Sequence, residues 1–282
     1  MNRAFSFGGG RQSTAALVLA AQGQLDVNLF IFANVGDDAE NPDTLAYIRD
    51  HSRPYAEAHG IELVEVQRRF RDGRDPSLYA HLNRDLRGVA IPMRMGDTGA
   101  PVARRCTYDW KIRVIAHYLK RERKWPEPWQ VQLGISWDES HRVSDEETPV
   151  EQVISEGRMV EIDGIRYEKR WPLCELRLRV ADCQRLIDGA GLPPPPKSSC
   201  WFCPFHSRAA WAALRLRQPD LFVRAVALEA RQNAVRDSIG KDRLYLTDRL
   251  KPLDVAIPEG AEQLELFDDP GAGACTSGYC WT

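Results

Sequence analysis

Three glycines in a row, Gly8-Gly9-Gly10, separate a strand-like segment, Arg3 to Phe7, from a helical segment that carries Ala15, Leu17, Val18 and Leu19 and closes at Gly23. This junction constrains the chain more than any bulk property does. Glycines at such a place permit left-handed backbone and let another group come close to the amides. The helix start leaves unsatisfied N–H groups at the positive end of its dipole, so an anion, above all a phosphate, suits it. Ser13 and Thr14 offer hydroxyls in the first turn, and Arg11 adds positive charge. The loop has neither the Gly-Lys-Ser/Thr ending of a Walker motif nor a Gly-x-Gly-x-x-Gly fingerprint.

The segments that follow repeat the pattern. Val27 to Ala33 is apolar nearly throughout, as in a parallel strand covered on both faces. Asn41-Pro42 opens a helix over 43–59, stopped by Gly60, and Ile61 to Val66 is a third strand. This β-α-β-α-β alternation predicts an α/β fold with a doubly wound parallel sheet. Residues 68–103 show no clear period apart from a short helix near Leu78–Leu86. A helix over Tyr108–Arg123 and a buried strand over Val131–Ile135 come next, and Asp163-Gly164 reads as a hairpin turn between two short strands. A helix over Val180–Gly189 precedes the stiff run Pro193-Pro194-Pro195-Pro196, and two amphipathic helices follow, over Ser207–Arg217 and Asp220–Arg236. The expected organisation is an α/β domain carrying the glycine loop over 1–150, a helical, cysteine-containing extension over 151–254, and an acidic flexible tail over 255–282.

Of the 282 residues, 43% are hydrophobic and 28% charged, which suffices for a sizeable core. No apolar run reaches the ~18 residues that would span a bilayer, and no signal segment leads the chain, so a cytoplasmic location and no membrane partner are expected. The net charge of −2 is unevenly spread: residues 68–124 hold 15 Lys or Arg against six Asp or Glu, and no Lys or Arg follows Lys251. Such a basic stretch attracts phosphates or nucleic acid, or is simply a solvated surface neutralised by the acidic tail. Seven cysteines in a chain of this type point to metal or redox chemistry before disulfides.

Together, Ser6-Phe7-Gly8-Gly9-Gly10-Arg11-Gln12-Ser13-Thr14 resembles the Ser-Gly-Gly-x-Asp-Ser/Thr loop of the pyrophosphate-loop ATPases and phosphoadenylyl-sulfate reductases, the adenine nucleotide alpha-hydrolase-like superfamily. Phe32-Ala33-Asn34-Val35-Gly36 with Glu40-Asn41-Pro42-Asp43-Thr44 resembles the segment that in these families meets adenine and ribose. Arg105-Cys106-Thr107 with Trp110-Lys111-Ile112 is similar to the Cys-Thr-x-x-x-Lys-Ile element of the reductase branch, and Gly134-Ile135-Ser136 with Asp138, Glu139 and Arg142 to its next loop. Gly8 stands where the family usually has Ser, and Gln12 where it has Asp, so no magnesium-related role passes to Gln12. The resemblance implies ATP or a related adenylate on Ser6, Gly8, Gly9, Gly10, Arg11, Gln12, Ser13 and Thr14 together with Asn34, Gly36, Lys111, Gly134, Ser136 and Arg142, and leaves room for Mg2+. Asp37 and Asp38 are candidates for ribose or magnesium, and Asp138, Glu139 and His141 offer acid–base groups near a strand end.

Cys200-Trp201-Phe202-Cys203-Pro204-Phe205-His206 is the second motif. A tight turn between two cysteines at this spacing points both sulfurs at one metal or cluster. Cys106, in the family-like element, is the candidate third ligand, and His206 or a tail cysteine the fourth. Pyrophosphate-loop thiolation enzymes use a similar set for a 4Fe–4S cluster; a structural Zn2+ with His206, or simply buried thiols, are the other readings. Cys275 and Cys280 resemble in position the tail cysteine with which the reductases attack sulfur, and an incidental pair is the alternative. Cys174 and Cys183 read as core, as do Trp137, Trp171 and Trp211. The resulting expectation is an enzyme of sulfur metabolism that adenylates an acceptor, releases pyrophosphate and transfers sulfur, or that reduces an adenylyl sulfate. An RNA or DNA acceptor on residues 68–124 and a sulfur or electron donor protein would be its partners. The other readings are an adenylate- or nucleic-acid-binding module without catalysis, and an adenylating ligase with structural zinc only.

Overall fold

Among the described residues eight strands order the chain: β1 (Arg3–Phe7), β2 (Leu29–Asn34), β3 (Glu62–Gln67), β4 (Arg94–Met95), β5 (Trp129–Leu133), β6 (Arg158–Ile162), β7 (Ile165–Arg170) and β8 (Leu244–Tyr245). They are taken from a computed structural model that describes residues 1–84, 88–143 and 148–261. Six of them form one sheet in the order β3-β2-β1-β5-β7-β6, parallel throughout except for the antiparallel edge pair β6–β7. Both faces are covered, so β2 is apolar on both sides, while β5 keeps Gln130 and Gln132 buried and hydrogen-bonded to each other. Ala4, Leu29, Ile31 and Ala33 face one core with Ile115 and Leu119 of the helix Arg113–Arg121. Phe5, Phe7, Phe30 and Phe32 face the other, with Leu17 and Leu19 of the first helix, Arg11–Ala21, and Ile187 of Val180–Gly189. The α/β fold with a mostly parallel, doubly wound sheet is therefore the one expected.

Two details depart from the sequence reading. The helix after Asn41 is interrupted: Pro42–Tyr47 and Arg53–Ala58 are joined by a π-helical stretch, Ile48–Ser52. A second stretch of this kind, Tyr108–Ile112, precedes Arg113–Arg121. Inserted turns of this type re-aim the side chains around them and are frequent at functional sites. The hairpin around Asp163 (φ 52°) and Gly164 (φ 74°) has both turn residues left-handed, as a tight two-residue connection requires. Its second strand then pairs in parallel with β5, so residues beyond 150 complete the sheet and are not a helical extension.

The compact units accordingly do not follow a cut at residue 150. One comprises Met1–Arg68 and Asp109–Ser198; the other comprises Arg69–Tyr108 and the described chain after Ser198. In the second unit the helices Arg208–Arg217 and Pro219–Ser238 pack together, and β4 pairs antiparallel with β8. Glu229, 3% exposed, accepts hydrogen bonds from the amides of Leu246 (2.7 Å) and Leu253 (2.9 Å), tying two later segments to the long helix. Burial pushes its carboxyl up to about 7, with the two amides pulling the other way.

Between the ordinary value of 4.5 and about 7 the folded chain thus holds a proton that the unfolded chain has lost. The contribution of Glu229 to stability is therefore greatest at acid pH and falls as pH rises through that window. Glu229→Gln is expected to remove this fall, measured as the difference in denaturation midpoint between pH 5 and pH 8; an unchanged pH dependence would contradict the assignment. No helix among the described residues is long and apolar enough to cross a membrane.

Candidate functional site

The strand order reverses at β1. From β1 the chain moves outward to β2 and β3, then returns to place β5 on the opposite side of β1. Ser6 is in register with both Ile31 and Leu133, so the loops after β1, β2 and β5 leave the same edge side by side. In open parallel sheets the carboxyl-end crevice at such a reversal is where ligands bind.

The loop after β1 is packed as tightly as glycine allows. Gly9 has φ +74°, and a Cβ there would lie 2.8 Å from Ile48 Cδ1 and 2.9 Å from Thr44 Cγ2. Gly134, after β5, sits under the helix start: its Cβ would be 3.3 Å from the Ser13 amide nitrogen. Gly10 caps the helix, its amide donating to Ser13 Oγ (3.1 Å) while Ser13 Oγ donates to the Gly10 carbonyl (3.0 Å). Ser13, expected to offer a hydroxyl to a ligand, thus uses it to close the loop. Thr14 and Ser136 are fully buried, and their hydroxyl oxygens have no hydrogen-bond partner among the described residues. Ser6 is buried in the strand, and Gly8 and Arg11 flank the turn.

The charged candidates are brought together differently from expectation. Glu139 Oε2 accepts from Gln12 Nε2 (3.2 Å) and pairs with Arg142 Nη1 (2.8 Å), so three candidates form one network whose arginine side chain is 3% exposed. The neutral Gln12 therefore donates to a carboxylate that an Asp at this position would repel. Asp138, a catalytic candidate, accepts from the Val180 amide (3.2 Å) at the start of the helix Val180–Gly189. Asn34 donates to Asp37 and Glu65, both at 2.7 Å, and accepts from the Gly36 amide at 2.8 Å, holding the loop after β2 in shape. Glu40 is the residue that sequence reasoning left without a role. It is 2% exposed, and burial pushes its carboxyl above the usual range, opposed chiefly by the charge of Lys111. The signal was an acid directly before the helix start Asn41-Pro42.

The cysteines divide by environment. Cys174 and Cys183 are core residues of the sheet unit, with thiols pushed up to about 12 by burial. At pH 8 iodoacetamide is expected to leave both unmodified in the folded chain and to modify both after denaturation, read by mass spectrometry; labelling of either in the folded state would contradict their burial. Cys106, Cys200 and Cys203 are half-buried and belong to the second unit. The Cys203 amide donates to the Cys200 carbonyl (3.1 Å), the tight turn that the spacing implied. Arg104, two residues before Cys106, stacks its guanidinium 5.1 Å from the ring of Phe205, two residues after Cys203. His206 Nε2 is hydrogen-bonded to Ser199 Oγ at 2.8 Å. Among the described residues no group of three His, Cys, Asp or Glu is placed to hold one metal ion. Cys275 and Cys280 lie outside the described residues.

No protein-family model matches the chain, and no curated protein does. Among solved structures it is similar to the U34-tRNA thiolase NcsA from Methanococcus maripaludis with its [4Fe-4S] cluster. The identity is 16%, over 83% of this chain and 72% of that one, with a TM-score of 0.44.

Proposed function

We propose that the chain is an adenine-nucleotide-dependent enzyme of the pyrophosphate-loop type. One observation carries this reading: the Gly8–Gly10 loop and the start of the first helix stand at the strand-order reversal, with Gly9 and Gly134 leaving no room for a side chain. The adenylate would lie with its phosphates on the loop amides, beside Asn34, Gly36, Lys111 and Ser136. In the reaction an acceptor oxygen forms a bond to the α-phosphorus as the bond to the β-phosphate oxygen breaks. The electron pair leaves on pyrophosphate, whose charge the amides at the helix start stabilise. A sulfur nucleophile from a donor protein then displaces AMP from the activated acceptor. If the nucleotide is an adenylyl sulfate instead, a thiol such as Cys275 or Cys280 attacks its sulfur and the adenylate leaves.

The basic stretch over 68–124 supports a polyanionic acceptor, RNA or DNA, for which affinity would fall steeply with salt. The Arg104–Phe205 contact joins the segment of Cys106 to that of the Cys200–Cys203 turn, and on this the proposal of a centre with these three thiolates rests, although among the described residues they are not grouped around a single ion. When bound, a cluster there would supply a sulfur-carrying iron and a zinc ion would supply only structure. Iron, sulfide and zinc determination on chain purified without air distinguishes the two.

The test of the enzymatic reading is pyrophosphate release from ATP in the presence of Mg2+ and candidate acceptors. A second reading, binding without catalysis, is favoured by the neutral Gln12 locked to Glu139. Tight ATP binding with no pyrophosphate formed under any of these conditions would establish it.

A further inference from the structure

We propose that Ser198 is a phosphate-contacting residue of the glycine loop, carried there by the proline run. The proposal rests on reading that loop as the adenylate site. Seen from Gly10, the cap of the first helix, the nearest neighbour is Ser198: a Cβ at Gly10 would lie 2.8 Å from its Oγ, 3.4 Å from its Cβ and 3.6 Å from its amide nitrogen. A hydroxyl and an amide, both donors, therefore stand over the residue at which the helix amides begin.

The approach is held from both ends. Pro193-Pro194-Pro195-Pro196 fixes four φ angles and has no amide of its own to satisfy, so it behaves as a strut about 3.1 Å long per residue. The Tyr47 hydroxyl donates to the Pro193 carbonyl at 2.7 Å, and Pro195 is buried. Tyr47 ends the helix that carries Thr44 and is followed by Ile48, the two residues that wall Gly9. The same element thus shapes the loop and anchors the strut.

The chemistry of the loop explains why a donor is needed from outside it. Ser13 donates to the Gly10 carbonyl and is not available to a ligand. Gln12 donates to Glu139. Thr14 keeps an unpartnered hydroxyl, but it is fully buried under the loop, whereas the half-buried Ser198 stands next to Gly10. Its partner is an unesterified or bridging phosphate oxygen of the nucleotide, not the base or the sugar.

The test is calorimetric titration of the full chain and of Ser198→Ala with ATP and with tripolyphosphate. A hydrogen bond to a charged oxygen makes the expected loss about tenfold or more for both ligands, with the melting temperature unchanged. Ser198→Thr, which keeps a hydroxyl, is expected to retain most of the affinity. Tyr47→Phe, which frees the strut, is expected to give an intermediate loss. Wild-type affinity in Ser198→Ala while Gly9→Val no longer binds would overturn the role of Ser198 and leave the adenylate site standing. Absence of ATP and tripolyphosphate binding in the unaltered chain would overturn both.

Discussion

Gly9→Val is expected to abolish adenylate binding while the sheet remains folded. A β-branched residue at φ +74° is strained whatever space surrounds it, and here the added carbons would also meet Ile48 and Thr44 within 3 Å. The loop would have to move away from the helix Pro42–Tyr47, and its amides would no longer converge on one anion. Loss of several phosphate contacts should weaken ATP at least ~100-fold, since each charge-assisted bond contributes about 1.5–3 kcal/mol. Gly23→Val is the matched control. Gly23 has φ +70° with nothing within 4 Å of a Cβ, so it shares the backbone strain but not the site. Equal affinity in wild type and a folded Gly9→Val would remove the loop assignment.

The second large effect is on stability. Arg142 is 3% exposed at its side chain and paired with Glu139, itself 12% exposed, at 2.8 Å. Arg142→Leu would leave a carboxylate in a desolvated position with only the Gln12 amide opposite it. Removing one partner of a buried pair costs about 3–5 kcal/mol, because the remaining charge is uncompensated. Chemical denaturation is expected to show a loss of that order, and Glu139→Gln with Arg142→Leu together should recover part of it, since no charge is then stranded. A loss below ~1 kcal/mol in the single variant would show that the network is effectively solvated.

Local signals in the chain were legible, and pairings between distant segments were not. The strand, three glycines and helix at residues 3–21 could be read because glycine conformation and helix-start chemistry are properties of neighbouring residues. The Asp163-Gly164 turn was legible for the same reason. That β7 then joins β5, extending the sheet past residue 150, depends on a pairing that no local pattern encodes. The second unit takes residues 69–108 together with the described chain after Ser198, and a segment lacking periodicity gives no sign of its distant partner. Gln12 looked like a lost acid in the sequence. In space its amide meets Glu139, more than a hundred residues away, so the departure concerns a pair of residues. The π-helical stretches at Ile48–Ser52 and Tyr108–Ile112 were also missed, because a one-residue insertion barely disturbs helical periodicity.

The adenylate site itself is tested most directly by calorimetric titration of the unaltered chain with ATP, with adenosine as the comparison. One saturable site is expected, with ATP bound far more tightly than adenosine, because the phosphates and not the base meet the helix amides. No heat with ATP, or equal affinity for ATP and adenosine, would contradict a phosphate cradle at Gly8–Gly10.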